Sequence, residues 1–330
     1  MKPFMNQELL SALKSANSLF LCTHILPDGD AIGSILAAGQ ILMAMGKRVV
    51  MACAEDVPRR FRDLPLADRI VKPAGLNPKD FDTALSLDCS DKERSGACAA
   101  VYEQIPVRLQ VDHHGTNPLY AVHNEVDPEA PAAGVLVARM AEGLGVPLTR
   151  DIAVCLYAAI STDTGNFCFS GVNAETFEIM QRLMETGMDI VTPARVIHLT
   201  REKEFLGLLS RALSKMQFLF DGTVTLTRID EKDFTDYHAL PEHCDGIVNY
   251  GLYIPGIRLT VFMDAHQPDQ TKFSIRSIRP VCAQNIAKAL GGGGHLVAAG
   301  CTLKLPANQA LAMMLAEMEK EIRAHSAKAE

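Results

Sequence analysis

The feature that most restricts this chain is the texture of its first 190 residues, where short continuous apolar runs alternate with segments of helical apolar spacing. Residues 18–24 (SLFLCTH) are apolar and end polar, residues 31–45 follow with helical spacing, Gly46 stops that helix, and residues 48–53 resume as a β-branched strand. Residues 83–87 and 107–111 predict further buried strands, and 132–142, 151–160 and 174–185 predict helices. A strand with no polar side needs cover on both faces. Strand, helix, strand in series therefore predicts an α/β domain, a parallel sheet covered by helices.

Past about residue 190 the pattern changes. Residues 191–220 predict a mostly helical, charge-studded linker; strands of hairpin type follow at 224–229, 258–263 and 272–278, then a helix at 282–290, a glycine run, a strand at 299–305 and a closing helix at 307–324. The expected organisation is a domain over 1–190, a helical linker over 191–220, and a smaller α+β domain over 221–330. A length of 330 residues suits two domains, and 48% hydrophobic residues can fill two cores, which excludes a disordered or collagen-like chain. The net charge of −7 excludes a general electrostatic grip on long nucleic acid, so a nucleotide must be held by a local cluster. Nine scattered cysteines without a CxxC pair argue against a disulfide framework or a zinc knuckle and for a reducing cytoplasm. Neither a signal peptide nor an 18-residue apolar stretch is evident, so no membrane span is expected.

Four segments gather titratable side chains where predicted elements end: His24-Ile-Leu-Pro-Asp28-Gly-Asp30, Leu87-Asp88, Asp112-His113-His114, and Thr162-Asp163-Thr164-Gly165. Singly each has a plainer reading: Asp28 and Asp30 as helix-capping acids, His24 as a core or surface histidine, Asp163 as a helix stop. Four such segments in one half of the chain are hard to explain that way. Asp28, Asp30, Asp88 and Asp163 together would carry about four negative charges, a crowding that requires cations or bound protons. Two divalent ions supply that charge, and His24 and His113 add nitrogen donors. A mixed carboxylate and imidazole set suits Mn²⁺ or a related first-row metal better than calcium. Two metals sharing a carboxylate activate water and polarise a phosphoryl oxygen, which is hydrolysis of phosphate esters or anhydrides.

These segments resemble the motifs of the DHH phosphoesterase family, named for the run spelled here Asp112-His113-His114, and the GGGGH run at 291–295 with Ala298-Ala299-Gly300 resembles the DHHA1 substrate domain. Length and layout are similar to the oligoribonuclease/pAp-phosphatase branch (the nanoRNase A type), whose members degrade very short RNAs to mononucleotides and dephosphorylate 3′-phosphoadenosine 5′-phosphate (pAp). The resemblance implies two divalent ions, Mn²⁺ foremost with Mg²⁺ or Co²⁺ as alternatives. His24, Asp28 and Asp88 would hold one; Asp30, Asp88, His113 and Asp163 would hold the other, with Asp88 bridging. His114 would face the scissile phosphate as hydrogen-bond donor or acid, and Asp112 would orient an imidazole. In the second domain the resemblance implies that Arg276 and Ser277, Gly292, Gly293, Gly294 and His295 bind substrate. The glycines would turn backbone N–H groups toward an anion, and Arg276 would pair with a terminal phosphate.

The implied partners are short single-stranded RNA or DNA oligonucleotides and small nucleotides, with no membrane and with a homodimer left open. A linear or cyclic dinucleotide phosphodiesterase would use the same metals. A pyrophosphatase or polyphosphatase is disfavoured, since its substrate has no need of a glycine–histidine nucleotide site. An inactive nucleotide sensor is disfavoured because every implied ligand is present. No aromatic side chain stands out for base stacking, and Tyr250, Tyr253 and Phe273 are expected in the core.

Overall fold

The computed structural model describes residues 5–169 and 171–326. It divides into two compact units, residues 1–200 and residues 201–330. In the first unit, strands β1 (Ser18–Cys22), β2 (Arg48–Ala52), β3 (Ile70–Val71), β4 (Thr83–Leu87), β5 (Val107–Asp112) and β6 (His123–Val126) form one sheet in the order β3-β2-β1-β4-β5-β6. Every pairing is parallel. The expected parallel sheet is thus present, with β3 and β6 added at its edges. Neither carries a hydrophobic signal: β3 has two residues, and His123-Asn-Glu-Val126 is a half-exposed polar strand.

The helices of this unit are α1 (Gln7–Ser15), α2 (Gly29–Ala44), α3 (Ala99–Tyr102), α4 (Ala133–Leu144), α5 (Arg150–Asp163), α6 (Ala174–Glu185) and the short α7 (Val191–Ala194). Side chains alternate across β1, so Leu19 and Leu21 join the core with α1, α2, α4 and α5, while Phe20 and Cys22 join a second core with Val101 and Tyr102 of α3. The strand order reverses between β1 and β4. That topological switch point opens a crevice at the carboxyl ends of these two strands, where open α/β sheets receive ligands.

The second unit contains α8 (Lys203–Ser214), β7 (Gln217–Leu219), β8 (Val224–Asp230), α9 (Glu231–Tyr237), β9 (Leu259–Gln267), β10 (Gln270–Ser277), α10 (Ala283–Ala289), β11 (Gly293–Gly294), β12 (Ala298–Leu303) and α11 (Ala307–Ser326). Its sheet runs β11-β12-β10-β9-β8-β7. Two expectations need correction. Strands β8 and β9 pair in parallel, not as a hairpin, because α9 and two short helical turns carry the chain back to the starting edge; of the three strands expected to be of hairpin type, β9 and β10 form one with each other. The segment 191–220 is also not uniformly helical, since Gln217–Leu219 pairs with β8 as an edge strand. Residues Val224, Leu259, Val261, Phe273 and Ile275 form the core with α10 and α11 on one face, and α8 and α9 cover Ile229 and Phe262 on the other. Among the described residues no helix is long and apolar enough to cross a membrane.

Candidate metal centre

At the switch point the chain leaves β1 and β4 with ligand-type side chains. β1 stops at Cys22, so Thr23 and His24 lie beyond the strand, and Asp28 caps α2, its Oδ1 accepting the Ala31 amide at 3.0 Å. The capping role does not consume Asp28: it stays half exposed, with Oδ1 3.9 Å from His24 Nε2. Asp88 follows β4 directly and takes a left-handed backbone (φ 51°), a conformation a non-glycine residue adopts only when its surroundings impose it. Its carboxylate is almost fully buried, with Oδ2 3.5 Å from His24 Nε2 and Oδ1 3.5 Å from His113 Nε2. Around His113 Nε2 stand Asp163 Oδ2 at 3.4 Å and Asp30 Oδ2 at 3.6 Å.

Two imidazoles are locked in the tautomer a cation requires. His24 Nδ1 lies 2.7 Å from the Ile25 carbonyl and His113 Nδ1 lies 3.1 Å from the Ala130 carbonyl. A carbonyl only accepts, so each Nδ1 carries the proton and the neutral ring turns the lone pair of Nε2 into the crevice. Donor atoms 3.4–3.6 Å apart are too distant for good hydrogen bonds. They match the separation of atoms each about 2.1 Å from a shared ion. Asp88 Oδ1, enclosed by protein, makes no hydrogen bond among the described residues. A buried carboxylate oxygen without a donor is costly, and a cation removes that cost. The residues therefore fit divalent ions in two overlapping groups, His24/Asp28/Asp88 and Asp30/His113/Asp163, with Asp88 within reach of both.

Asp30 is held more firmly than its sequence position suggests. Its Oδ2 accepts the Ala133 amide at 2.6 Å, and its Oδ1 accepts the Gly134 amide at 2.9 Å and the Ser34 hydroxyl at 3.0 Å. One carboxylate thus ties the start of α2 to the start of α4. Asp112 serves His114, not the neighbouring His113: its Oδ1 is 2.7 Å from His114 Nδ1, and Asn117 holds its Oδ2. Asp112 thus fixes the orientation of the His114 ring through Nδ1. Asn117, Ser34 and the Ala130 carbonyl had no motif to mark them.

The electrostatics follow from crowding. Burial works against a charged His24, yet Asp88 and Asp28 outweigh it and lift its pKa to about 9. Burial likewise opposes a charged His113, and Asp88, Asp163 and Asp30 raise it regardless. Burial and the neighbouring carboxylates push Asp163 up to about 6 despite His113. Asp88 is held well below the usual carboxylate range, because His113 and His24 overcome its burial. Without cations the cluster holds protons instead, and a metal must displace them. Apparent Mn²⁺ affinity is expected to rise with pH between 6 and 9, by up to about tenfold per pH unit for each proton displaced. Calorimetric titration in buffers of different ionisation enthalpy measures the protons released. Affinity that stayed flat from pH 6 to 9 would contradict this electrostatic account.

In the second unit, strand alternation sorts the expected substrate residues. Lys272, Ser274 and Arg276 lie on the less buried side of β10, while Thr271, Phe273, Ile275 and Ser277 face the core. Ser277, expected at the substrate, is buried and its hydroxyl accepts the Ala283 amide at the start of α10. Arg276 sits opposite Ala298 of β12, and His295 closes the turn before that strand, its amide donating to the Ala298 carbonyl at 2.7 Å. The glycine run is largely structural. The amides of Gly291 and Gly292 end α10 by donating to Lys288 and Ala287, and a Cβ on Gly292 would meet the Gly300 carbonyl at 2.2 Å. Gly294, at φ 136°, packs its backbone against Ala298 and Ala299. Only Gly293 of the three expected glycines has open space at its Cβ position. A third group, Glu202/Glu204/His243, also places carboxylates round an imidazole. There His243 Nδ1 accepts the Leu240 amide, so Nε2 carries the proton it gives Glu202 at 2.8 Å and offers a cation no lone pair.

Comparison with known proteins agrees with this geometry. The DHH family, N-terminal domain, matches residues 18–160, and the DHHA1 domain matches residues 230–324. The bifunctional oligoribonuclease and PAP phosphatase NrnA of Thermus thermophilus is 33% identical over 319 residues, 96% of this chain and 93% of that protein. An exopolyphosphatase-related protein from Bacteroides fragilis has the same fold over 97% of this chain and 98% of its own, with a TM-score of 0.90 at 23% identity. RecJ of Thermus thermophilus, in complex with Mn²⁺, aligns over 98% of this chain and 55% of its own, with a TM-score of 0.53 at 14% identity. Matched in both halves and related to NrnA along almost its whole length, the chain belongs to the DHH–DHHA1 phosphoesterase family of hydrolases.

Proposed function

We propose that this protein hydrolyses short oligoribonucleotides to mononucleotides and removes a phosphate from pAp, using two divalent ions, Mn²⁺ foremost. The observation that carries the hydrolytic part is the crevice at the switch point, where two imidazole lone pairs and the orphaned Asp88 oxygen converge with three more carboxylates. The substrate class rests on the similarity to the Thermus thermophilus NrnA. Bound there, divalent ions supply a water of lowered pKa and a Lewis acid for the phosphoryl oxygen.

In this reading His24, Asp28 and Asp88 hold one cation, and Asp30, Asp88, His113 and Asp163 hold the other. His114, kept in one orientation by Asp112, presents Nε2 to a phosphate oxygen or to the departing ester oxygen. The first unit performs the chemistry. The second contributes Arg276, His295 and the half-buried backbone at Gly293, open at its Cβ position, to bind substrate, whereas Ser277, Gly292 and Gly294 keep that surface in shape. Arg276→Ala is expected to raise KM for a dinucleotide by about 10- to 100-fold, the loss of one charge-assisted hydrogen bond, with a smaller effect on kcat. A variant altered only in kcat would place Arg276 elsewhere in the reaction.

Initial rates on a dinucleotide, a pentanucleotide, pAp, a cyclic dinucleotide and pyrophosphate, with Mn²⁺ and after chelation, test the reading directly. The linear oligonucleotides and pAp are expected to lead, with no turnover under chelation. Preference for the cyclic dinucleotide or pyrophosphate would replace this reading. Binding without hydrolysis would make the protein a sensor.

A further inference from the structure

The turn that follows Asp163 is built in an unusual way. Gly165, Asn166 and Phe167 take left-handed backbones in succession (φ 56°, 55° and 65°). A glycine accepts this freely and an asparagine tolerates it, but a phenylalanine adopts it only when something else holds it there. What holds it is the end of α5: the Asn166 amide donates to the Ser161 carbonyl at 2.7 Å and the Phe167 amide to the Thr164 hydroxyl at 3.1 Å. The constraint sets the Phe167 ring beside Phe177, with centroids 5.7 Å apart and planes inclined by only 33°. Phe167 packs partly against the core, whereas Phe177 is 56% exposed. One ring is anchored, and the other offers a face to solvent.

Both ends of this segment are fastened to elements that carry metal-type ligands. Phe167 lies four residues beyond Asp163. Phe177 stands on the first turns of α6, where Glu175 is clamped by Arg139, which also grips Asp127. The Asp127 amide in turn donates to the Asp112 carbonyl. Gly171 runs against Pro131, next to the Ala130 carbonyl that fixes His113. The aromatic pair is thus joined to the carboxylate crevice through the chain, Phe167 by the turn that follows Asp163 and Phe177 by the Glu175–Arg139–Asp127 ion pairs. Phosphate chemistry in that crevice needs something that recognises the rest of the substrate, and a rigid aromatic face serves any base because every base has a π-face.

We propose that Phe167 and Phe177 form a stacking platform for a nucleobase of the substrate, with Phe177 touching the base and Phe167 holding Phe177 in place. This rests on the phosphoesterase reading of the crevice, and the two can fail separately. The chain contains no tryptophan, so Phe177→Trp introduces a single indole reporter at an exposed position. In the Mn²⁺-loaded variant, AMP is expected to quench that fluorescence saturably, and ribose 5-phosphate is not. An absent response to AMP, or an equal response to both, overturns the platform. In parallel, Phe177→Ala is expected to raise KM for a dinucleotide about tenfold, by more than any fall in kcat, with Phe177→Tyr restoring it. An unchanged KM in Phe177→Ala also overturns it. Quenching by AMP in a protein that hydrolyses no phosphate ester would sustain the platform and discard the hydrolase.

Discussion

Asp88→Ala is expected to lower turnover of a dinucleotide by about a thousandfold or more, the largest loss from any single substitution in the crevice. The reason is position. Oδ2 of Asp88 faces His24 and Oδ1 faces His113, so one side chain completes both ligand groups. Its neighbours cannot replace it: Asp30 is fastened to the first amides of α4, and Asp28 lies at the exposed edge. Removing Asp88 also takes from the crevice one of the buried negative charges that draw a cation in. Asp28→Ala, by contrast, removes a half-exposed member of a single group and should cost less. Mn²⁺ stoichiometry and steady-state rates on the same preparations check both. A variant lacking Asp88 that still bound two ions and turned over near the normal rate would disprove the shared role.

Gly33→Ala is expected to destabilise the first unit and to impair catalysis, although the residue contacts no substrate. A Cβ there would lie 2.4 Å from the Cys155 carbonyl and 2.7 Å from the Ala159 amide nitrogen, both backbone atoms of α5 that cannot swing aside. Glycine at this point lets α2 and α5 touch backbone to backbone, and Gly134 of α4 packs on Ala159 from the other side. Those helices carry Asp30 and Asp163. Overpacking of this kind costs about 1–3 kcal/mol, against which alanine recovers less than about 1 kcal/mol of helix propensity. A net loss of about 1–2 kcal/mol lowers Tm by several degrees. The displacement of one carboxylate relative to the other then costs about a hundredfold in kcat/KM. Thermal unfolding and the dinucleotide assay together decide it, and wild-type behaviour in both would show that the helices have room to part.

Much of the chemistry was legible because its signal is local. A short apolar run ending in His24 or Asp88 announces a strand whose last residues face a crevice, whatever lies around it. Other features were invisible for an equally physical reason. Asp112 is adjacent to His113 in the chain but orients His114, because successive side chains point apart and Ala130 already occupies His113. The GGGGH run suggests an anion nest. Its first two amides close α10, and its missing side chains make room for β12, a strand paired only after the chain has turned back. Ser277 looks like a neighbour of Arg276, yet the two-residue period of a strand sends it into the core. Phe167 and Phe177, ten residues apart, meet only through a strained turn.

The order and identity of the metal-type side chains, the α/β character of the first half and the change of texture near residue 190 are properties of the amino-acid string, since each depends on residues close together in it. The tautomers of His24 and His113, the double reach of Asp88, the helix contact at Gly33 and the parallel pairing of β8 with β9 belong to the tertiary structure. Each is set by a contact between distant segments, and a linear pattern carries no record of which distant segment will arrive.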